Sequence, residues 1–302
     1  MNSKKILPLG VLLIIVAATL WALDGILRRS LYTLDPLVIV FYEHLLGSLI
    51  LIPLFLREKQ TILSKQIVAL VLIISLFSGL LGTLWFTTAL VKINFIPFSV
   101  VLLLQKLQPI FATSSAALIL KEKITKKYLI WAGVAIAAAY FVTFKNGIVT
   151  FSSGNQSIVA ALYALGAAVA WGISTSFSKL LLKKVSTISA TSLRFFTTSI
   201  FAFIGCLVFL PSQELLITIT TSQLIRFVII AFSTGMVALF LYYKGLQKTE
   251  AKVATILELV FPVLGVIIDG VVFKNFLSGT QLLAAGILMF SVIKTAQLNE
   301  NK

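Results

Sequence analysis

The sequence predicts an all-α membrane protein: ten transmembrane helices in two inverted five-helix repeats around a central cavity. Three observations carry this. The 302 residues are 59% hydrophobic and only 12% charged, whereas a soluble domain is about one quarter charged. Apolar runs of about 18 residues or more recur along the whole length, which is what a helix needs to cross a bilayer. The chain also repeats itself. Trp21-Ala-Leu-Asp24-Gly25 is echoed by Trp171-Gly-Ile-Ser174-Thr175, and Gln105-x-x-Gln108-Pro109 by Glu258-x-x-Phe261-Pro262, each about 150 residues on. Each half carries five apolar runs. Five is odd, so the second half enters the bilayer from the opposite side, the inverted repeat found in many secondary transporters.

Taken in order, the first span covers about residues 6–27. With Lys4 and Lys5 before it, it has the look of a signal peptide. It is long enough to span, no A-x-A site follows, and its Trp21 region recurs at Trp171, so it is expected to remain as a helix. The second span, 36–56, holds Glu43 and His44. The third, 66–91, holds Gly79 and Gly82 one turn apart, and Trp85. Lys92-Ile-Asn-Phe-Ile-Pro97 makes a short turn into the fourth, 96–120, which carries Gln105, Lys106, Gln108 and Pro109. The fifth, 127–144, has Gly133 and Ala137 at a spacing of four. Residues 1–145 form the first repeat, 146–156 a polar link, and 157–302 the second repeat. Its spans lie at about 157–180, 186–210, 223–246, 251–273 and 278–296. The sixth span places Ala164, Ala168 and Gly172 four apart, a pattern that lets helix backbones approach closely in lipid.

The net charge of +15 would suggest nucleic acid in a soluble protein. Here topology accounts for it. Of the 25 Lys and Arg residues, seventeen fall in loops on one side of the alternating spans and six on the other, with Lys106 and Arg194 inside spans. The positive-inside rule then puts both termini in the cytoplasm. One cysteine and one histidine exclude thiolate clusters and multi-histidine metal sites, and no Walker A segment is present. No cofactor or metal is expected.

Ionisable groups inside apolar runs are costly in lipid, so each is expected to face a cavity or a partner. These are Glu43 and His44, Lys106 flanked by Gln105 and Gln108, Arg194 in the seventh span, and Glu258 in the ninth. Glu258 and Lys106 occupy nearly equivalent places in the two halves, as do Glu43 and Arg194, so both pairs are candidate bridges. Such a bridge either locks helix packing or breaks when substrate or a proton enters. Asp24 and Asp269 sit nearer the span ends, within reach of interfacial water. Trp21, Trp171, Trp85 and Tyr42 are candidate cavity walls. Pro109 and Pro262, read as mid-helix residues, are candidate hinges.

The Trp21 and Trp171 segments, Pro109 and Pro262, and Lys121-Glu122-Lys123-Ile124-Thr125 at the end of the fourth span resemble the EamA family within the drug/metabolite transporter superfamily. Asn275 stands in the second half where Glu122 stands in the first. The resemblance covers nearly the whole chain. It implies two inverted five-helix units around a cavity, a bacterial inner-membrane location, and export of amino acids or related metabolites. The expected function is therefore secondary transport of a small polar metabolite by alternating access, with protons as a candidate coupling ion. Both signs of charge at mid-depth favour a zwitterionic cargo. A facilitator or proton antiporter of cationic drugs, or an uptake carrier, is the alternative. A membrane enzyme or receptor is disfavoured, because no polar residues of catalytic kinds cluster.

Overall fold

Helix starts in this chain are written in small polar residues. Asp35 accepts from the Leu37 amide at 2.7 Å, with Pro36 in the first turn. Ser64 accepts from Ile67 and Ser186 from Ser189. Thr220 and Gln223 form a reciprocal capping box. Each cap satisfies amides that the helix itself leaves unpaired. In the computed structural model these caps open helices separated by short turns. The structure describes residues 8–58, 63–91, 104–105, 107–143, 145–148, 155–211, 219–261, 263–264 and 278–300.

The helices are α1 (Leu9–Arg29), α2 (Pro36–Arg57), α3 (Lys65–Leu90), α4 (Gln108–Ile119) and α5 (Lys126–Thr143), then α6 (Asn155–Leu182), α7 (Thr187–Phe209), α8 (Thr221–Lys248), α9 (Ala251–Leu257) and α10 (Gly279–Glu300). No strand occurs among the described residues. Five of these, α2, α3, α6, α7 and α8, are long and apolar enough to cross a membrane; α1 and α10 contain shorter apolar stretches. Their outer faces carry large apolar side chains, such as Leu56, Leu118, Phe209 and Leu283. In water such a surface would drive association, whereas lipid tails cover it at no cost.

Packing follows a two-fold pattern. Helix α2 packs on α7, α4 on α9, and α5 on α10; α1 packs on α8 while α3 packs on α6. Three pairs therefore join counterparts, and the other two are each other's images, as a pseudo-two-fold axis between the halves requires. Helices α3 and α8 share a further feature. Each contains a π-helical stretch, Ser75–Gly82 and Ala231–Gly235, with Ser78-Gly79 in one and Thr234-Gly235 in the other. At Gly79 an added Cβ would lie 2.0 Å from Thr198 Oγ1, and at Gly82 it would lie 2.5 Å from Trp171 Nε1.

Small residues on α6 act as the sequence implies. Ala164 and Ala168 are fully buried, and a Cβ on Gly172 would meet the α4 backbone at the Gln108 carbonyl, 2.9 Å away. Gly133 and Ala137 do not: both are exposed, and Ala132, Ala135, Ala138 and Ala139 form the packed face of α5 instead.

The Lys121–Thr125 segment has a structural task. Lys121 adopts φ 58°, and the Glu122 amide reaches back to the Ala116 carbonyl, which closes α4. The Glu122 carboxylate accepts from the amides of Ala251 and Lys252 at 2.8 and 3.2 Å, so the end of α4 is tied to the start of α9. Lys252, 3% exposed, is held by Glu250 at 3.0 Å and by the Lys123 carbonyl at 2.6 Å.

Candidate functional site

An open-mouthed cavity lies between the halves. Of the sequence candidates, Trp21, Glu43, His44, Gln105, Gln108, Trp171, Arg194 and Glu258 line it. Trp85 does not; its ring covers Gly166 on α6 within the apolar packing. Lys106 and Pro262 lie outside the described residues, and with them the expected Glu258–Lys106 bridge. Asp269 lies outside them too.

The aromatic walls obey the pseudo-symmetry. Trp21 packs on Tyr242 at 5.2 Å, and Trp171 on Phe86 at 5.3 Å. Trp171 stands 150 positions after Trp21, and Tyr242 156 after Phe86, so the two pairs are images of one another. The indole of Trp171 donates to the Ser78 carbonyl inside the α3 π-stretch at 3.0 Å, where the wider turn leaves that carbonyl available.

The charges do not obey it. Arg28 is 4% exposed and donates through Nε to Asp24 and through Nη2 to Glu43 Oε2 at 2.7 Å. The expected Glu43–Arg194 bridge is absent because Arg28, from the neighbouring helix, reaches Glu43 first. Asp24 is not at an interface either: it is 7% exposed and accepts from Thr234 Oγ1 at 2.6 Å. At the image positions stand Ser174, Ser178 and Arg194. Arg28 also reaches Thr87 Oγ1 at 3.3 Å, and the image contact joins Ser178 to Tyr243 at 3.2 Å. Arg194 donates to the Tyr243 hydroxyl at 3.1 Å and has no carboxylate within ion-pair distance among the described residues. One half thus presents a buried ionic triad, and the other presents hydroxyls and a guanidinium.

His44 is clamped. Its Nδ1 donates to the Val40 carbonyl at 2.8 Å, and its ring packs on Phe195 at 4.9 Å. A carbonyl can only accept, so Nδ1 carries the proton, and in the neutral ring Nε2 is left as an acceptor. Across the cavity Gln108 donates through Nε2 to Glu258 Oε2 at 3.0 Å and joins α4 to α9.

Pro109 differs from its expected role. It lies in the first turn of α4 rather than mid-helix. There a missing N–H costs nothing, and the break has already occurred at Leu107. In α9 the regular helix stops at Leu257, with Glu258 at the break and Pro262 four residues on.

Sequence reasoning missed Arg28, Thr234, Tyr242 and Tyr243 and placed Asp24 too near water. Two signals were available: Asp24 and Arg28 are four apart, one helical turn, and Ser78-Gly79 recurs as Thr234-Gly235. Nothing in the sequence pointed to Tyr243.

The chain matches the EamA-like transporter family twice, over residues 8–144 and 158–296. It is 40% identical over 294 residues to a protein named riboflavin transporter ImpX from Fusobacterium nucleatum, covering 96% of this chain and 98% of that one. It is 28% identical over 176 residues, 58% of each chain, to a protein named pseudopaline exporter CntI from Pseudomonas aeruginosa. A solved crystal structure superposes with a TM-score of 0.76 over 97% of this chain and 98% of its own, at 17% identity, which shows the shared fold. With two family matches spanning nearly its whole length, the chain belongs to the EamA-like transporter family and is a multi-pass membrane carrier of small metabolites, not an enzyme.

Proposed function

We propose that this protein carries riboflavin, or a neutral flavin of similar size, across the membrane by alternating access. The observation that supports this most is the cavity wall. Trp21, Phe86, Trp171, Phe195, Tyr242 and Phe261 line one cavity between the halves, the aromatic and apolar kind of wall that small-molecule sites have. Flat aromatic cargo stacks on such rings. The name of the 40% identical relative points to the same cargo.

An amino acid, the cargo expected from mixed charges, fits less well. Arg28 is already held by Asp24 and Glu43, so its guanidinium is not waiting for the carboxylate of a zwitterion. In this reading residues 1–145 and 157–302 are inverted repeats joined by 146–156, the chain crosses a bacterial inner membrane ten times, and both termini are cytoplasmic. The odd number of runs per half and the basic asymmetry support that. Protons are the candidate coupling ion, with Asp24 and Glu43 around Arg28 as candidate carriers. Export was the expected direction, and uptake through the same site is equally compatible with the cavity.

Thermal stabilisation of the purified protein by riboflavin, followed by flux in both directions through proteoliposomes with and without a pH gradient, tests this. Riboflavin is expected to raise the melting temperature and to cross. Stabilisation by amino acids with none by riboflavin would refute it.

A further inference from the structure

Where α4 faces α9, the cavity wall carries a cluster of amide and carboxylate groups. Gln105 and Gln108 are one turn apart and both line the cavity. Pro109 has no N–H to offer, so the main-chain carbonyl of Gln105 lacks the donor an unbroken helix would supply. Gln108 gives one amide N–H to Glu258, and its own oxygen remains to accept. Gln105 Oε1 is enclosed and meets no donor among the described residues. Glu258 adds a carboxylate to the same wall. The arrangement is repeated in design: Gln105 and Glu258 each stand four residues before the proline of their half. A buried acceptor without a partner is costly, and a ligand that brings a donor recovers that cost.

We propose that this wall reads the cargo, and that Gln105 is the reader of an imide edge. The inference rests on the flavin reading above. A flavin ring carries an N3–H flanked by carbonyls. The Gln105 carboxamide matches that edge with two parallel hydrogen bonds: Oε1 accepts from N3–H, and Nε2 donates to the adjacent carbonyl. Side-chain carboxamides read nucleobase edges in the same bidentate way. Aromatic stacking alone would accept any flat ring, whereas this contact selects rings with an imide.

Riboflavin and its N3-methyl derivative differ at that donor. Binding to the purified protein, read by quenching of flavin fluorescence, and competition for flux into proteoliposomes compare the two. The protein is expected to bind the methyl derivative at least about tenfold more weakly, the order expected when a buried acceptor is left without its donor. In Gln105→Leu, riboflavin should fall to the level of the methyl derivative, which itself changes little. Gln105→Met, closer in shape, gives the same readout where Leu disturbs folding, and Gln105→Glu should keep the preference because it keeps an acceptor. Equal binding of both flavins by the unaltered protein, or an undiminished preference in Gln105→Leu and Gln105→Met, overturns the inference and leaves the flavin cargo standing. No riboflavin binding by the unaltered protein removes the cargo reading and this inference with it.

Discussion

Arg28 is the residue on which the buried charges turn. Asp24 and Glu43 are both buried and share its guanidinium. Breaking a buried ionic network by removing one member leaves uncompensated charge and costs about 3–5 kcal/mol. Arg28→Met is therefore expected to lower the melting temperature in detergent sharply. The triple variant Arg28→Met, Asp24→Asn, Glu43→Gln should recover most of the loss, since no charge is then stranded. If the single and triple variants melt alike, charge pairing is not what holds α1 to α2 here. Half of this cluster was legible: Asp24 and Arg28 share one helix face by spacing alone. Glu43 was legible as a buried charge, but its partner was not, because partner choice depends on how α1 and α2 cross.

Among the elements, the π-stretches of α3 and α8 most separate pattern from structure. A hydrophobic run carries a period that reads as one continuous helix, and a single wide turn does not disturb it enough to be seen. In α3 that turn brings the helix against α7 and α6. A Cβ on Gly79 would overlap Thr198 Oγ1, and one on Gly82 would displace the Trp171 indole. Gly79→Ala is expected to destabilise by about 1–3 kcal/mol, the usual range for overpacking. Adding Thr198→Ala should restore much of it by making room. A double variant no more stable than Gly79→Ala would place the strain elsewhere. The prolines teach a related lesson. Pro109 was read as a mid-helix hinge, but the helix breaks before it, at Leu107, so the proline opens a helix rather than bending one.

At the scale of the whole molecule, topology is the testable statement. Arg28, at the end of the first span, is one of the six basic residues on the minority side, and its burial takes it out of that set. The asymmetry on which the proposed cytoplasmic termini rest is thereby steeper. In a Cys206→Ser background, Tyr32→Cys is expected to react with a membrane-impermeant thiol reagent from outside intact cells. Lys184→Cys should react only after permeabilisation. Tyr32 and Lys184 are both exposed, so sidedness and not burial decides the result. The opposite labelling would invert the topology.

By itself the sequence determined the class of molecule and its plan. Composition requires lipid around the chain, the spacing of apolar runs sets candidate helices, and the Trp21/Trp171 and Gln105/Glu258 echoes reveal a duplicated unit. These are properties of residues taken along the chain, and the chain displays them. It also named six polar residues of the cavity wall, Glu43, His44, Gln105, Gln108, Arg194 and Glu258, because a charged or amide group in an apolar run has few other places to go. Only the tertiary structure decided which groups meet. Glu43 lies near Arg28 and away from Arg194, Gln108 reaches Glu258 from another helix, and Trp171 finds the Ser78 carbonyl through a widened turn. Those contacts join residues from 15 to 150 positions apart, and their choice follows from helix crossing and local winding, which act at right angles to the periodicity a sequence records.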